Sequence, residues 1–358
     1  MEPKPALYGL EPEEIEKIFK AWKEPAYRAR QLIEWLYHKH VNAWHEISNL
    51  PKPLLQKLQS EFDLKKLTLK EQIRSPHGQS TKFLFETQDH HLLESVLISQ
   101  NGRQTICVST QLGCKMRCVF CASGKSFNRN LTPGEIVEQA AGVQKALRAP
   151  LNNVVYMGMG EPLDNFEATL KSLRILQADW GFGFGARRIT VSTVGITPRI
   201  EEFVNQMDGR VRLSISLHTS DEARRSQLVP INRRYSLTGL VRMLTKIHRR
   251  LQREITFEYT LLEGVNDMPE EAKGVLSLAK ALGAKVNLIP YNPIHEADFK
   301  RPSRERIEHF RAILLKGGVR VTVRQTAGRD INAACGQLRL DREKIQNPAL
   351  SQSSPSSG

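Results

Sequence analysis

Cys114-Lys115-Met116-Arg117-Cys118-Val119-Phe120-Cys121 places three thiols within eight positions, in a C-x3-C-x2-C run. Thiolates gathered on one loop can converge on a metal centre, and soft sulfur donors select zinc or an iron–sulfur cluster. A structural zinc site closes with four ligands, and no fourth Cys or His lies within reach in sequence. A cluster held by three cysteines leaves one iron with an open position that a free amine and carboxylate can chelate. The run therefore points to a [4Fe-4S] cluster on Cys114, Cys118 and Cys121. The competing readings are zinc, or three buried thiols without metal.

Downstream of the cysteines, apolar β-type runs alternate with helical stretches. The runs are NNVVYMG (152–158), RRITVSTVG (187–195), RVRLSISLH (210–218), EITFEYTLL (254–262), AKVNLIPY (284–291) and VRVTVRQT (319–326). Thr132 can cap a helix with Pro133 at its first position and Glu135 completing a capping box. SRERIEHFRAILLK (303–316) is a helix stopped by Gly317-Gly318. Strands separated by helices imply a parallel sheet. About six such units over about 220 residues fall short of the eight that close a barrel. The expected fold class is thus α/β, a partial (β/α)6 TIM-type barrel over residues 111–342, with active-site residues at the C-terminal ends of its strands.

Upstream, residues 64–110 alternate apolar and polar positions in KFLFET, LLESVLIS and QTICVST, the pattern of a β-hairpin extension. Residues 1–63 read as a small helical module. Ile15, Ile18, Phe19 and Trp22 form one apolar stripe, Leu32, Trp35 and Leu36 a second, and LLQKLQSEF a third helix beyond a break bracketed by Pro51 and Pro53. Residues 343–358, rich in Ser, Pro and Gly, are expected to be a disordered tail.

The chain has 358 residues, 40% hydrophobic and 25% charged, which excludes pervasive disorder and fibrous repeats. No apolar run is long enough to span a bilayer, and the N-terminus lacks the layout of a secretory signal. Five cysteines, three of them clustered, argue for metal or redox chemistry in a reducing compartment, so a cytoplasmic protein with no membrane partner is expected. The formal net charge is +14. Residues 1–90 are nearly balanced, so the excess lies beyond them, in pairs such as Arg187-Arg188, Arg224-Arg225, Arg233-Arg234 and Arg249-Arg250. Clustered arginines in a basic chain are the footprint of a polyanion-binding face, with a merely solvated surface as the alternative.

Polar residues recur at the strand ends. Gly158-Met159-Gly160-Glu161-Pro162 follows NNVVYM, where glycines would let the backbone approach a ligand and the carboxylate could accept from an ammonium. Ser192 ends the next strand, Ser216-Leu217-His218 the one after, and Asn292 follows NLIPY. Together they predict a ring around one bound ligand. Two cysteines stand apart. Cys107 lies seven residues before the cluster, and Cys335 sits in a loop beyond the last strand, where an active thiol could be presented.

The motifs EPAYRARQLIEWLYHK, ICVSTQLGCKMRCVFCASG, FNRNLTPGEIVEQ, VVYMGMGEPLDN, SLHTS, LVPINRRY, VNLIPYNP and DINAACGQL resemble the radical S-adenosylmethionine (SAM) RNA methyltransferases of the RlmN/Cfr family over about residues 10–340. The resemblance implies a [4Fe-4S] cluster and two SAM molecules per turnover. It implies SAM contacts at Gly160, Glu161, Ser192, Ser216, Leu217, His218 and Asn292. Cys335 would be methylated by one SAM, and a 5′-deoxyadenosyl radical from the second would abstract hydrogen from that methyl group. The resulting methylene radical would add to an adenine carbon of 23S ribosomal RNA, Glu94 would accept a proton, and Cys107 would form a transient disulfide with Cys335 that frees the product. The helical module and LVPINRRY match the housekeeping type, which modifies C2 and can also act on transfer RNA, better than the resistance type, which modifies C8. A monomer using an external electron donor is expected. One departure is that CASGKSFNRN is a residue shorter than the family spacing after Cys121, which touches the local SAM and cluster contacts. A non-catalytic iron–sulfur RNA-binding protein is the reading from another class.

Overall fold

The computed structural model describes residues 4–338 apart from 77, 296, 325–327 and 332, so the expected tail at 343–358 lies outside the described residues. Three helices open the chain, α1 (Pro12–Ala21), α2 (Ala26–Ile33) and α3 (Lys52–Glu61). Ile15 and Phe19 of α1 are buried as their spacing predicts. The second stripe departs from expectation. A π-helical turn at Glu34–His38 follows α2 and slips the helical phase, so Tyr37 turns inward with Leu32 and Leu36. Trp35 stays half-exposed, its indole N–H donating to Asn49 Oδ1 at 2.6 Å. Pro53 is no breaker either, because it lies in the first turn of α3, where a missing N–H costs nothing.

Strands β1 (Leu67–Arg74), β2 (Ser80–Thr87), β3 (Leu92–Gln100) and β4 (Arg103–Val108) run antiparallel. The β3–β4 turn is Asn101-Gly102, both with positive φ, as a tight hairpin requires. A short hairpin, β5 (Gln111–Gly113) with β6 (Phe127–Asn130), encloses the cysteine loop. Then α4 (Pro133–Leu147), β7 (Asn153–Tyr156), α5 (Phe166–Gln177), β8 (Ile189–Thr193), α6 (Thr197–Gln206), β9 (Arg212–Ser216), α7 (Glu222–Leu228), α8 (Leu237–Ile247), β10 (Thr256–Leu261), α9 (Pro269–Ala281), β11 (Lys285–Pro290), α10 (Arg304–Lys316) and β12 (Val321–Val323) follow. The larger sheet has the order β1-β2-β3-β4-β7-β8-β9-β10-β11-β12, parallel from β4 onward. This is an α/β fold of the partial-barrel kind. The sheet passes without interruption through 110/111, since β4 pairs antiparallel with β3 and parallel with β7. No helix among the described residues is long and apolar enough to cross a membrane.

Helix α4 begins as its sequence predicts. Thr132 Oγ1 accepts from the Glu135 N–H, and Glu135 Oε2 accepts from that of Thr132. One face, with Ile136, Ala140 and Val143, packs into the barrel core, while Val137 and Ala141 belong to the core of the N-terminal helices. Between those faces Glu138 accepts from the main-chain N–H groups of Lys66 and Leu67, fastening the entrance of β1. Burial pushes the Glu138 carboxyl up to about 8. The folded state therefore holds a proton that the unfolded chain has released above the ordinary carboxylate range, and stability falls as pH rises through that window. A Glu138→Gln variant should show a flatter dependence of the urea midpoint on pH between about 5 and 8. Parallel profiles for the two proteins would contradict this.

Candidate active site

The cysteine loop is held from three sides. The Cys114 N–H donates to Ser126 O at 2.8 Å, fixing its start to the β5–β6 hairpin. The Val119 N–H donates to Leu228 O at 3.1 Å, on α7. Beyond Cys121 a 3-10 turn, Ala122–Lys125, leads directly into β6, which closes the short loop noted in the sequence. That turn is clasped by the segment after Cys335, with the Ala122 N–H donating to Gly336 O at 2.8 Å and Ser123 Oγ to Leu338 O at 2.6 Å.

Cys114, Cys118 and Cys121 share the wall of a cavity of about 150 Å³ at the C-terminal ends of the parallel strands. Burial raises all three thiols, Cys114 to about 12, so a bound metal centre must displace protons to hold them as thiolates. Among the described residues no three ligating side chains are gathered tightly enough for a single ion. Three soft thiol donors on one loop, all lining one cavity, are a donor set that fits an iron–sulfur cluster.

Gly158, Gly160, Glu161, Ser192, Ser216, His218, Asn292 and Cys335 line the same cavity. Leu217 does not, because its side chain is buried in the barrel core, its N–H donates to Glu258 O and its carbonyl accepts from Arg225. The glycines are also required for a reason other than the expected one. A Cβ on Gly158 would lie 2.5 Å from Ser109 Oγ, and one on Gly160, whose φ is +100°, 2.6 Å from Gln111 Cβ. What approaches them closely is the chain itself, since Ser109 Oγ accepts from the Met159 N–H and Gln111 Oε1 from that of Glu161.

Glu161 Oε2 accepts from the Val194 N–H at 2.9 Å and Oε1 from that of Leu163 at 3.1 Å, tying the end of β7 to that of β8. Burial pushes its carboxyl up to about 7. His218 adopts a left-handed backbone with φ of 61°, a conformation costing about 1–3 kcal/mol that surrounding contacts must hold. They do. Its Nδ1 accepts from the Thr260 N–H at 3.0 Å, and its carbonyl accepts from Asn266 Nδ2 at 2.7 Å. Burial and then Arg225 drive its pKa down to about 3, so the ring is neutral with its proton on Nε2, a donor at the cavity wall.

The isolated cysteines occupy one neighbourhood. A second cavity is lined by Cys107, Val96, Ile98 and Thr105, and it shares Met157, Ile289, Asn292, Arg324 and Cys335 with the first. Cys335 thus lies in the partition between them, its carbonyl accepting from Asn292 Nδ2 at 3.2 Å. Burial, then the neighbouring Cys335, pushes the Cys107 thiol up to about 12. Glu94 lines neither cavity. It is buried and ion-paired with Lys82 at 2.9 Å. Ser95 points outward to Gln139 of α4, so by strand alternation Glu94 shares the inner face of β3 with Val96 and Ile98.

Sequence reasoning missed Glu258, Thr260 and Arg324. Glu258 accepts from Asn287 Nδ2 at 2.7 Å and Ser214 Oγ at 3.3 Å, and with Thr260 it presents alternate inward positions of β10 to the cavity. That alternation was the available signal. Cys335, then Glu258 and Cys107, hold the Arg324 guanidinium above the ordinary arginine range despite its burial. One basic pair also leaves the expected anion-binding face. Arg187-Arg188, Arg233-Arg234 and Arg249-Arg250 are exposed, whereas Arg224 is paired with Glu271 and Arg225 is fully buried.

Known proteins share this architecture. The family described as the Radical SAM superfamily matches residues 108–276, and the Ribosomal RNA large subunit methyltransferase N-terminal domain matches residues 6–64. A probable dual-specificity RNA methyltransferase RlmN 3 of Opitutus terrae is 43% identical over 360 residues, spanning 95% of this chain and 96% of that protein. A probable dual-specificity RNA methyltransferase RlmN of Thermotoga neapolitana is 45% identical over 324 residues, 90% of this chain and 93% of the relative. The crystal structure of a radical SAM methyltransferase from Sphaerobacter thermophilus superposes with a TM-score of 0.90 at 42% identity, covering 94% of this chain and all of that one.

If Glu161 receives the ammonium of SAM, it must be ionised to do so. Binding of SAM to the cluster-loaded protein, followed by calorimetry, should weaken as pH falls below about 7. Glu161→Gln should lose about 1.5–3 kcal/mol of binding and flatten that profile. Equal affinity in both proteins at pH 8 would remove Glu161 from this role.

Proposed function

The chain belongs to the RlmN family of radical SAM RNA methyltransferases, and from that premise we propose that it methylates C2 of an adenine in 23S ribosomal RNA through Cys335. Transfer RNA is proposed as its second substrate, in keeping with the dual specificity in its relatives' names. The match of residues 6–64 to a ribosomal RNA methyltransferase N-terminal domain supports ribosomal RNA as the substrate, and C2 rather than C8 is proposed on the helical module and LVPINRRY, which resemble the housekeeping type. The observation that carries the proposal is the place of Cys335, in the partition between the cavity of the three clustered cysteines and that of Cys107.

The chemistry requires such an arrangement. C2 of adenine is electron-poor and does not attack a methyl sulfonium, whereas a carbon radical adds to it if a base then removes the ring proton. The cluster and SAM, when bound, would supply an electron, the methyl group and the radical that activates it, and the cluster would take back the one electron that the base adduct must give up. The protein's own work is positioning. Glu161 holds the amino-acid end of SAM, while Ser192, Ser216, the Nε2–H of His218 and Asn292 offer polar contacts around the cavity. Cys335 accepts the methyl group on its sulfur and carries the carbon to the base. Glu94, on the inner face of β3, takes the ring proton. Cys107 then attacks the sulfur of Cys335, the carbon–sulfur bond breaks as the disulfide forms, and the released carbon takes up a proton to become the methyl group of the product. The exposed arginine pairs supply the charge that draws RNA to the surface. The enzyme is proposed to work as a monomer in the cytoplasm, with an external electron donor.

Cys335→Ala should abolish methylation of unmodified 23S fragments by the reconstituted enzyme, and retained activity would end the proposal. In Cys107→Ala the carbon should remain bonded to both Cys335 and the base, giving protein that migrates with RNA on a denaturing gel. Mass mapping of the released nucleoside should show the methyl group at C2, whereas a product methylated at C8 would reassign the reaction to the resistance type.

A further inference from the structure

Arg225 has no task in that reaction, yet its guanidinium is shut entirely from solvent where α7 meets the ends of β8 and β9. Its Nε donates to Leu217 O at 3.2 Å, Nη2 to Val194 O at 2.6 Å and Ser216 O at 3.1 Å, and Nη1 to Asn232 Oδ1 at 2.7 Å. Every one of these acceptors is neutral. Glu222, the carboxylate that acts on it, is held at one remove, accepting from Asn232 Nδ2 and from the main-chain N–H groups of Leu237 and Thr238. A buried charge whose contacts are all neutral is costly unless something of opposite sign completes it. Val194 and Ser216, whose carbonyls Arg225 holds, line the cavity together with Cys114, Cys118 and Cys121. Helix α7 is stitched to the cysteine loop through Leu228 O and Val119 N, and Leu228 shares an apolar cluster with Phe120 and Cys118.

We propose that Arg225 is the fixed counter-charge of the iron–sulfur centre, a positioning residue that eases its one-electron reduction. The proposal rests on the cluster reading. Three thiolates around a core of charge 2+ carry a net single negative charge, and one electron from an external reductant makes it double without forming or breaking a bond in the protein. A nearby guanidinium offsets that added charge, and net charge is among the settings of a cluster's potential. Because the offset is electrostatic, charges placed on Arg225 from its far side must alter it.

The test is a redox titration of the reconstituted full-length protein with dithionite, without SAM or RNA, followed by the electron paramagnetic signal of the reduced centre. Asn232→Asp, made on top of Glu222→Gln so that two carboxyl groups do not share a proton, sets a carboxylate against Nη1 while keeping the guanidinium, and should make reduction harder than in Glu222→Gln alone by about tenfold, ~59 mV for one electron. Glu222→Gln removes the neighbouring carboxylate and should shift the midpoint the other way. Arg225→Gln should follow Asn232→Asp, and Arg225→Lys should stay nearer the parent. Should Arg225→Gln fail to fold, the pair at 222 and 232 still decides, because structural damage does not produce opposite signs from two conservative changes. Unmoved midpoints, or shifts of the same sign, in iron-loaded Asn232→Asp and Glu222→Gln would overturn the proposal. If the parent itself takes up no iron and sulfide, the cluster reading fails and this inference with it.

Discussion

Two hydrogen bonds join the segment after Cys335 to the turn after Cys121, and the site depends on them. Ala122 N–H to Gly336 O and Ser123 Oγ to Leu338 O clasp the turn after Cys121 against the loop carrying Cys335. The residues joined by the second bond are 215 positions apart. Everything between them is barrel, and the barrel's curvature brings β12 round so that the clasp can close. The lone thiol is thereby delivered to the wall of the cavity that holds the other three.

A second theme is the use of buried polar groups as braces between strand ends. Glu161 fastens β7 to β8 through main-chain N–H groups, Arg225 gathers carbonyls from β8 and β9, and Glu258 links β9, β10 and β11 through Ser214 and Asn287. Each is hydrogen-bonded to more than one neighbour, which makes the rim rigid. Such a rim suits chemistry that succeeds by alignment, because the reacting carbons must be met at a fixed place.

Much of this was legible in the sequence where a residue's role depends on its near neighbours. The capping box at Thr132 and Glu135, the strand–helix alternation, the three clustered thiols and the polar strand ends at Ser192, Ser216 and Asn292 all follow from local periodicity or spacing. What escaped depends on distant contacts. Arg225 reads as half of a surface pair, because nothing nearby tells that β8 and β9 will present carbonyls to it. Gly158 and Gly160 read as room for a ligand, although the space is taken by Ser109 and Gln111, some 50 residues earlier. Tyr37 escaped because a single π turn shifts the phase on which the stripe was counted.

For the role proposed for Cys335, its setting between two cavities has a temporal consequence. A thiol at the bottom of one pocket could meet all its reaction partners from a single direction, in any order. A thiol in a dividing wall faces one room at a time, and turning between them needs only rotation about its own side-chain bonds. Sequence in time is then written as left and right in space, and no domain has to swing for the schedule to be kept.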